Sequence, residues 1–198
     1  MTKQWVIPDI HGHARTLQAL IEEQIKPSRN DNIYFLGDYI DRGPDAKGVL
    51  DYIINLKNDN YNIRTLRGNH EDYLLRTYDN ETVQKNIFGI TYQNKLKKEW
   101  FKFGGRETLK SFHISDVHEI PEKYISWMRE LEYFITLQSF ILVHAGLNFM
   151  IEDPFDDKHS MLWVKEYKVD RVKAGFGNLV ALELTSMELK VQNNVDIP

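Results

Sequence analysis

Apolar positions change their period several times along the chain, and each change marks a new element. Val6-Ile7 form a short apolar run that leads into Asp9, after which Leu17, Leu20 and Ile21 recur at helical spacing in "ARTLQALIEEQI". The succession returns as strand "NIYFLGD", loop "YIDRGPDAKG" and helix "VLDYIINLKND", and again as strand "NIRTLRG", loop "NHED" and helix "YLLRTY". Strands alternating with helices predict a parallel sheet joined by right-handed crossovers. Ligands of such sheets sit outside the carboxyl ends of the strands, which is where Asp9, His11, Asp38, Asp41, Asn69 and His70 fall.

From about 80 to 130 the strand pattern gives way to aromatic and charged stretches, "KKEWFKFGGRETLKSF" and "EKYISWMREL", predicting a helical insertion over one side of the site, a usual place for substrate selection. The cluster "NKLKKEW" reads as a solvated helix face. Beyond it, "EYFITLQSFILVHAGL" predicts a hairpin whose second strand, Phe140 to Val143, ends at His144, and the tail predicts another about Thr185-Ser186. No internal repeat or low-complexity linker divides the chain, and 198 residues suit a single domain spanning 1–198.

Composition adds exclusions. Hydrophobic residues at 42% and charged residues at 27% describe a globular protein. A net charge of −4 without a dense Lys/Arg block argues against nucleic acid as a partner. The N-terminus lacks the apolar core of a signal peptide and no stretch approaches a membrane span, so a cytoplasmic location with no membrane partner is expected. With no cysteine in the chain, any metal must be held by Asp, Asn and His.

The chemistry concentrates in "DIHGH", "GDYIDRG", "RGNHED" and "VHAGL", each at a predicted strand end and each bearing oxygen or imidazole donors. Mixed carboxylate and imidazole sets suit Mn²⁺, Fe²⁺ or Zn²⁺. Two ions ~3.5–4 Å apart need a shared carboxylate, for which Asp38 is the natural bridge. A lone "NH" or "HAG" is most often a turn or a satisfied histidine, so the weight lies in the whole set occurring in order.

Those stretches resemble the calcineurin-like metallophosphoesterase superfamily, in its phosphoprotein-phosphatase branch with GDxHG, GDxxDRG and GNHE motifs, over residues 9 to about 147. The resemblance implies an α/β fold in which a two-sheet β-sandwich is flanked by helices, with the insertion over the site. It implies Asp9, His11 and Asp38 as ligands of one metal, and Asp38, Asn69 and His144 as ligands of the other. The cofactor expected is a pair of divalent ions, Mn²⁺ first, with Fe or Zn as alternatives. His70 looks like the general acid, oriented by Asp41. Arg42, Arg67, Asn69 and Lys165 are placed on the substrate phosphate, with Arg42 better supported by the resemblance than Arg67. The implied activity is phosphoester hydrolysis, on phosphoserine or phosphothreonine in proteins. The alternative is symmetrical cleavage of a dinucleoside polyphosphate such as diadenosine tetraphosphate, and a third possibility is a non-catalytic metal-binding module.

Departures from the family pattern are specific. Members of this branch usually carry a later histidine on the second metal, and no histidine follows His159. Lys165 stands where relatives commonly have an arginine, offering a point charge rather than a bidentate fork. Pro8 replaces a common glycine that provides no ligand. Among the other histidines, His13 is expected as a surface or polar contact residue at a helix start, His113 and His118 at the surface, and His159 either lining the cleft or in a structural role beside Trp163.

Overall fold

A computed structural model of the chain describes residues 2–80, 86–87, 90–91 and 95–164. It divides into two compact units, Met1–Glu132 and Tyr133–Pro198. Lys165 and the predicted hairpin about Thr185-Ser186 lie outside the described residues.

The first unit is built on a parallel sheet in the order β1 (Gln4–Ile7), β2 (Asn32–Phe35), β3 (Asn62–Thr65). Ile7 pairs with Phe35 and Phe35 with Thr65, so the strands finish level. Asp9, Asp38 and Asn69 follow those ends within a few residues, and the level register therefore delivers them to one edge of the sheet. The connections are helical, as the periodicity predicts. They comprise α1 (Ala14–Ala19), continued by a π-helical turn over Leu20–Ile25, α2 (Ala46–Asn58) and, after β3, α3 (Asn69–Asn80).

Helix α2 shows why these stretches fold as they do. Asp45 caps it by accepting from the Gly48 N–H at 2.8 Å, and Ala46, Val49, Leu50, Ile53 and Leu56 repeat at helical spacing on its buried face. That face joins Ile33 and Phe35 of β2, Leu17 of α1 and Leu74 of α3 in one core.

The insertion is helical over most of its described residues, with α4 (Lys95–Lys102), α5 (Gly105–Ser111), a 3₁₀ turn over Val117–Glu119 and α6 (Glu122–Arg129). It also holds an antiparallel pair, β4 (Asn86–Ile87) and β5 (Ile90–Thr91), whose two-residue strands are too short to register as an alternating pattern. "NKLKKEW" is not simply a solvated face: Lys95 and Lys98 are exposed, but Trp100 is wholly buried in the core.

In the second unit, β6 (Phe134–Thr136) and β7 (Ile141–Val143) pair antiparallel, forming the predicted hairpin. Val143 and Leu147 pack with Met161 of α7 (Lys158–Trp163), and the Ala145 N–H donates to the Met161 carbonyl at 2.8 Å. Among the described residues no helix is long and apolar enough to cross a membrane.

Candidate active site

The loop after β2 carries the site on an unusual backbone. Asp38, Asp41 and Arg42 have φ of 52°, 68° and 63°, and His11, in the facing loop, has φ of 44°. Left-handed conformations cost a non-glycine residue about 1–3 kcal/mol each and persist only where surrounding structure over-determines them. Here the restraint is Glu71, fully buried in the first turn of α3. Its carboxylate accepts the N–H groups of Asp38 at 2.9 Å, Tyr39 at 2.8 Å and Ile40 at 3.3 Å, and that of Gly68 at 3.0 Å. From the other side the Asp38 carbonyl accepts from the Ile10 and His11 N–H groups at 3.1 and 2.8 Å. Glu71 thus pins both the β2 and β3 loops, a role that its place in "RGNHED" did not disclose.

Within this frame donor atoms converge. His11 Nε2 lies 3.5 Å from Asp38 Oδ2 and 3.9 Å from Asp9 Oδ2. The Asp9 and Asp38 carboxylates come within 4.8 Å of each other, and His11, Asp38 and His70 also gather within that reach. His11 Nδ1 lies 3.0 Å from the Ile40 carbonyl, which can only accept, so Nδ1 holds the proton and Nε2 presents its lone pair to the cluster. Burial, helped by His70 and Arg42 and opposed by Asp38 and the Ile40 carbonyl, pushes the His11 imidazole down to about 4. A neutral imidazole beside two carboxylates fits a borderline divalent cation. Asn69 opens α3 next to His70, whose own N–H donates to Asp38 Oδ1 at 3.1 Å.

His70 and Asp41 form a buried pair, with Nδ1 2.7 Å from Asp41 Oδ2. Burial opposes charge on His70, but the bond to Asp41 and the charges of Asp38, Asp41 and Glu71 outweigh it and raise the imidazole pKa. Burial raises the Asp41 carboxyl as well, against the hydrogen bonds from His70, Thr108 and Trp100. Arg42, exposed to solvent, extends its guanidinium across both rings, with Nη1 2.8 Å from His11 Nε2 and Nη2 3.1 Å from His70 Nε2. Because arginine only donates, both Nε2 atoms accept in this arrangement.

The insertion reaches the same loop. Trp100 Nε1 donates to Asp41 Oδ2 at 2.9 Å, and the Thr108 hydroxyl donates to Asp41 Oδ1 at 2.5 Å while accepting the Asp41 N–H at 2.9 Å. Gly104, at φ 104°, makes the approach possible, since a Cβ there would stand 2.5 Å from the Arg42 nitrogen. Phe103 stands beside the pair, 39% exposed, with its ring centroid 6.2 Å from that of His70 and 5.5 Å from that of Tyr73.

One residue expected on the substrate phosphate is committed elsewhere. Arg67 Nη2 donates to the Met128 and Arg129 carbonyls at 3.1 and 2.8 Å, and Nη1 is 3.9 Å from Asp72, so its guanidinium serves the end of α6. His144 follows β7 in the second unit, half-buried. His13, His113 and His118 are exposed, as expected from sequence, and His159 stacks on Trp163 with ring centroids 6.4 Å apart, one of the two places open to it from sequence. Glu71, Trp100 and Thr108 were not singled out from sequence. Trp100 alone left a trace there, as an aromatic residue closing a lysine-rich helix.

The sequence model of calcineurin-like phosphoesterases matches residues 2–176. The chain is 29% identical over 145 residues to a symmetrical bis(5'-nucleosyl)-tetraphosphatase of Cellvibrio japonicus, covering 72% of this chain and 44% of the relative. It is 39% identical over 147 residues to the protein of that name in Wigglesworthia glossinidia brevipalpis, again covering 72% and 44%. The chain thus spans less than half the length of these curated relatives. Among solved structures, a protein serine/threonine phosphatase from Saccharomyces cerevisiae superposes with a TM-score of 0.53 at 17% identity, covering 82% of this chain and 48% of that one, a likeness of fold.

Proposed function

The chain belongs to the calcineurin-like phosphoesterase family, and on that premise we propose that it is a metal-dependent hydrolase that cleaves dinucleoside polyphosphates symmetrically. The observation that carries the hydrolase assignment is the buried His70–Asp41 pair, 2.7 Å apart, at the rim of the Asp9–His11–Asp38 donor cluster. Asp9, His11 and Asp38 would hold one divalent ion, and Asp38 and Asn69 would contribute to a second. When bound, such ions supply Lewis-acid polarisation of the phosphoryl group and an activated water. Arg42 grips phosphate oxygens with its fork, which releases Nε2 of His70 to take up a proton from solvent. Asp41 holds the Nδ1 proton, and His70 delivers a proton from Nε2 to the departing oxygen. Arg67 is left out of the phosphate contacts because its guanidinium is committed to α6.

The choice of substrate reverses the order expected from sequence, where phosphoproteins came first. Relatives named for symmetrical tetraphosphatase activity match at 29% and 39% identity. Phe103 offers a partly exposed ring beside the proton donor, on which a purine can stack. One observation favours phosphoproteins as a second reading: a dedicated acid helps a serine alkoxide, a poor leaving group, more than it helps the phosphate of an anhydride. Incubation of Mn²⁺-loaded protein with diadenosine tetraphosphate, and separately with a phosphoserine peptide, decides between them. Two ADP per substrate support the proposal. ATP with AMP, or turnover of the peptide alone, contradicts it.

A further inference from the structure

The insertion meets the catalytic loop through two side chains, and both end on one carboxylate. Asp41 Oδ2 accepts from His70 Nδ1 and Trp100 Nε1, and Oδ1 accepts from Thr108. An indole N–H can only donate, so Oδ2 cannot take up a proton without breaking a bond. The Thr108 hydroxyl receives the Asp41 N–H, which leaves its single proton directed at Oδ1. Asp41, Trp100 and Thr108 are all fully buried, where each bond is made in low dielectric and a lost partner is not replaced by water. Packing alone does not account for this, since an apolar ring and a valine would fill the same space. The local sequence supports the approach, because a Cβ on Gly105 would run into the Trp100 ring and one on Gly104 into the Arg42 backbone.

We propose that Trp100 and Thr108 are positioning residues that fix the Asp41 carboxylate in its ionised form and orientation, and through it aim the His70 proton at the leaving oxygen. The insertion would then take part in proton delivery as well as covering the site. This rests on His70 being the general acid. A residue acting this way matters when the leaving group is poor and matters little when it is good, whereas a residue that only stabilises the fold affects both alike.

The test compares Thr108→Val, Thr108→Ser and Trp100→Phe with wild type and His70→Asn, on phenyl phosphate (poor leaving group) and p-nitrophenyl phosphate (good leaving group). Thermal melts establish that each variant folds. Thr108→Val and Trp100→Phe should each lose about tenfold in kcat on phenyl phosphate, a fraction of the ~10²–10⁴ that an acid contributes, and about twofold or less on p-nitrophenyl phosphate. Thr108→Ser, which keeps the hydroxyl, should restore the rate. The proton resonance of His70 Nδ1–H should move upfield or broaden in Thr108→Val and return in Thr108→Ser. If His70→Asn shows the selective loss but the Thr108 and Trp100 variants lose equally on both substrates or not at all, the positioning role is wrong while the acid assignment stands. If His70→Asn loses equally on both, the acid assignment fails and the positioning role falls with it.

Discussion

The loop from Gly37 to Gly43 and the insertion helices α4 and α5 both contribute to the surroundings of Asp41, by opposite means. The loop places its polar groups by accepting backbone strain at Asp38, Asp41 and Arg42, with the buried Glu71 carboxylate holding the backbone from Asp38 to Ile40. The insertion keeps ordinary helical geometry around one left-handed glycine and contributes donors that do not react. Chemistry and support are thus divided between a strained segment that is short and a relaxed one that is separate in sequence. Changes at Asp38 or at the Glu71 anchor of the loop should therefore damage every substrate, and changes in the insertion should be selective.

Four experiments sharpen or break that contrast, taken from the largest effect. Asp38→Asn should abolish turnover on all substrates and reduce bound metal in calorimetric titration, because an amide cannot balance two divalent cations. Retained stoichiometry and rate would remove Asp38 from the bridging position. Glu71→Gln turns an NH₂ towards N–H groups that now meet a carboxylate, and should destabilise the fold by about 2–4 kcal/mol in denaturant titration while lowering kcat on every substrate. A stable, active variant would mean that the loop holds its strain without Glu71.

Phe103→Ala belongs to the insertion and should be selective. Losing a stacked base costs about 1–3 kcal/mol, so kcat/KM for diadenosine tetraphosphate should fall about 5- to 150-fold while p-nitrophenyl phosphate is spared. The smallest effect concerns the anchor of α4, where Lys97 Nζ meets Asp116 Oδ2 at 2.7 Å. Burial would raise the Asp116 carboxyl, but Lys97 and the His118 backbone outweigh it and hold it at about 2, below the ordinary 3.8. A carboxylate depressed in the folded state gives stability that is present above pH 3.8 and is lost as pH falls towards 2. The pair is partly exposed, so the contribution is modest. The melting temperature of wild type should drop slightly more than that of Asp116→Asn over that interval.

Sequence reading grouped the candidate site residues because each sits at a strand end and carries a side chain with few structural uses there. The level ends of β1, β2 and β3 turn spacing along the chain into proximity, so Asp9, His11, Asp38, Asp41 and His70 were legible as a group. Support was not legible, for reasons particular to each residue. Glu71 looks like an acidic residue at a helix start, and Thr108 in "RETLKSF" like any helical threonine. Trp100 closes a lysine-rich run whose exposed face masks a buried one. Arg67 shows the converse: its place beside the motif is real, but the direction of a long side chain is set by the carbonyls of α6, which pattern does not reveal.

The claim that loop and insertion form one proton-delivery device is tested most directly by a double-mutant cycle. Turnover of phenyl phosphate would be measured for wild type, Thr108→Val, His70→Asn and the double variant, after matching metal saturation. If Thr108 works through His70, the double variant should be no slower than His70→Asn alone, since an absent imidazole cannot be misaimed. Losses that multiply, with Thr108→Val costing the same factor whether His70 is present or not, would contradict the account.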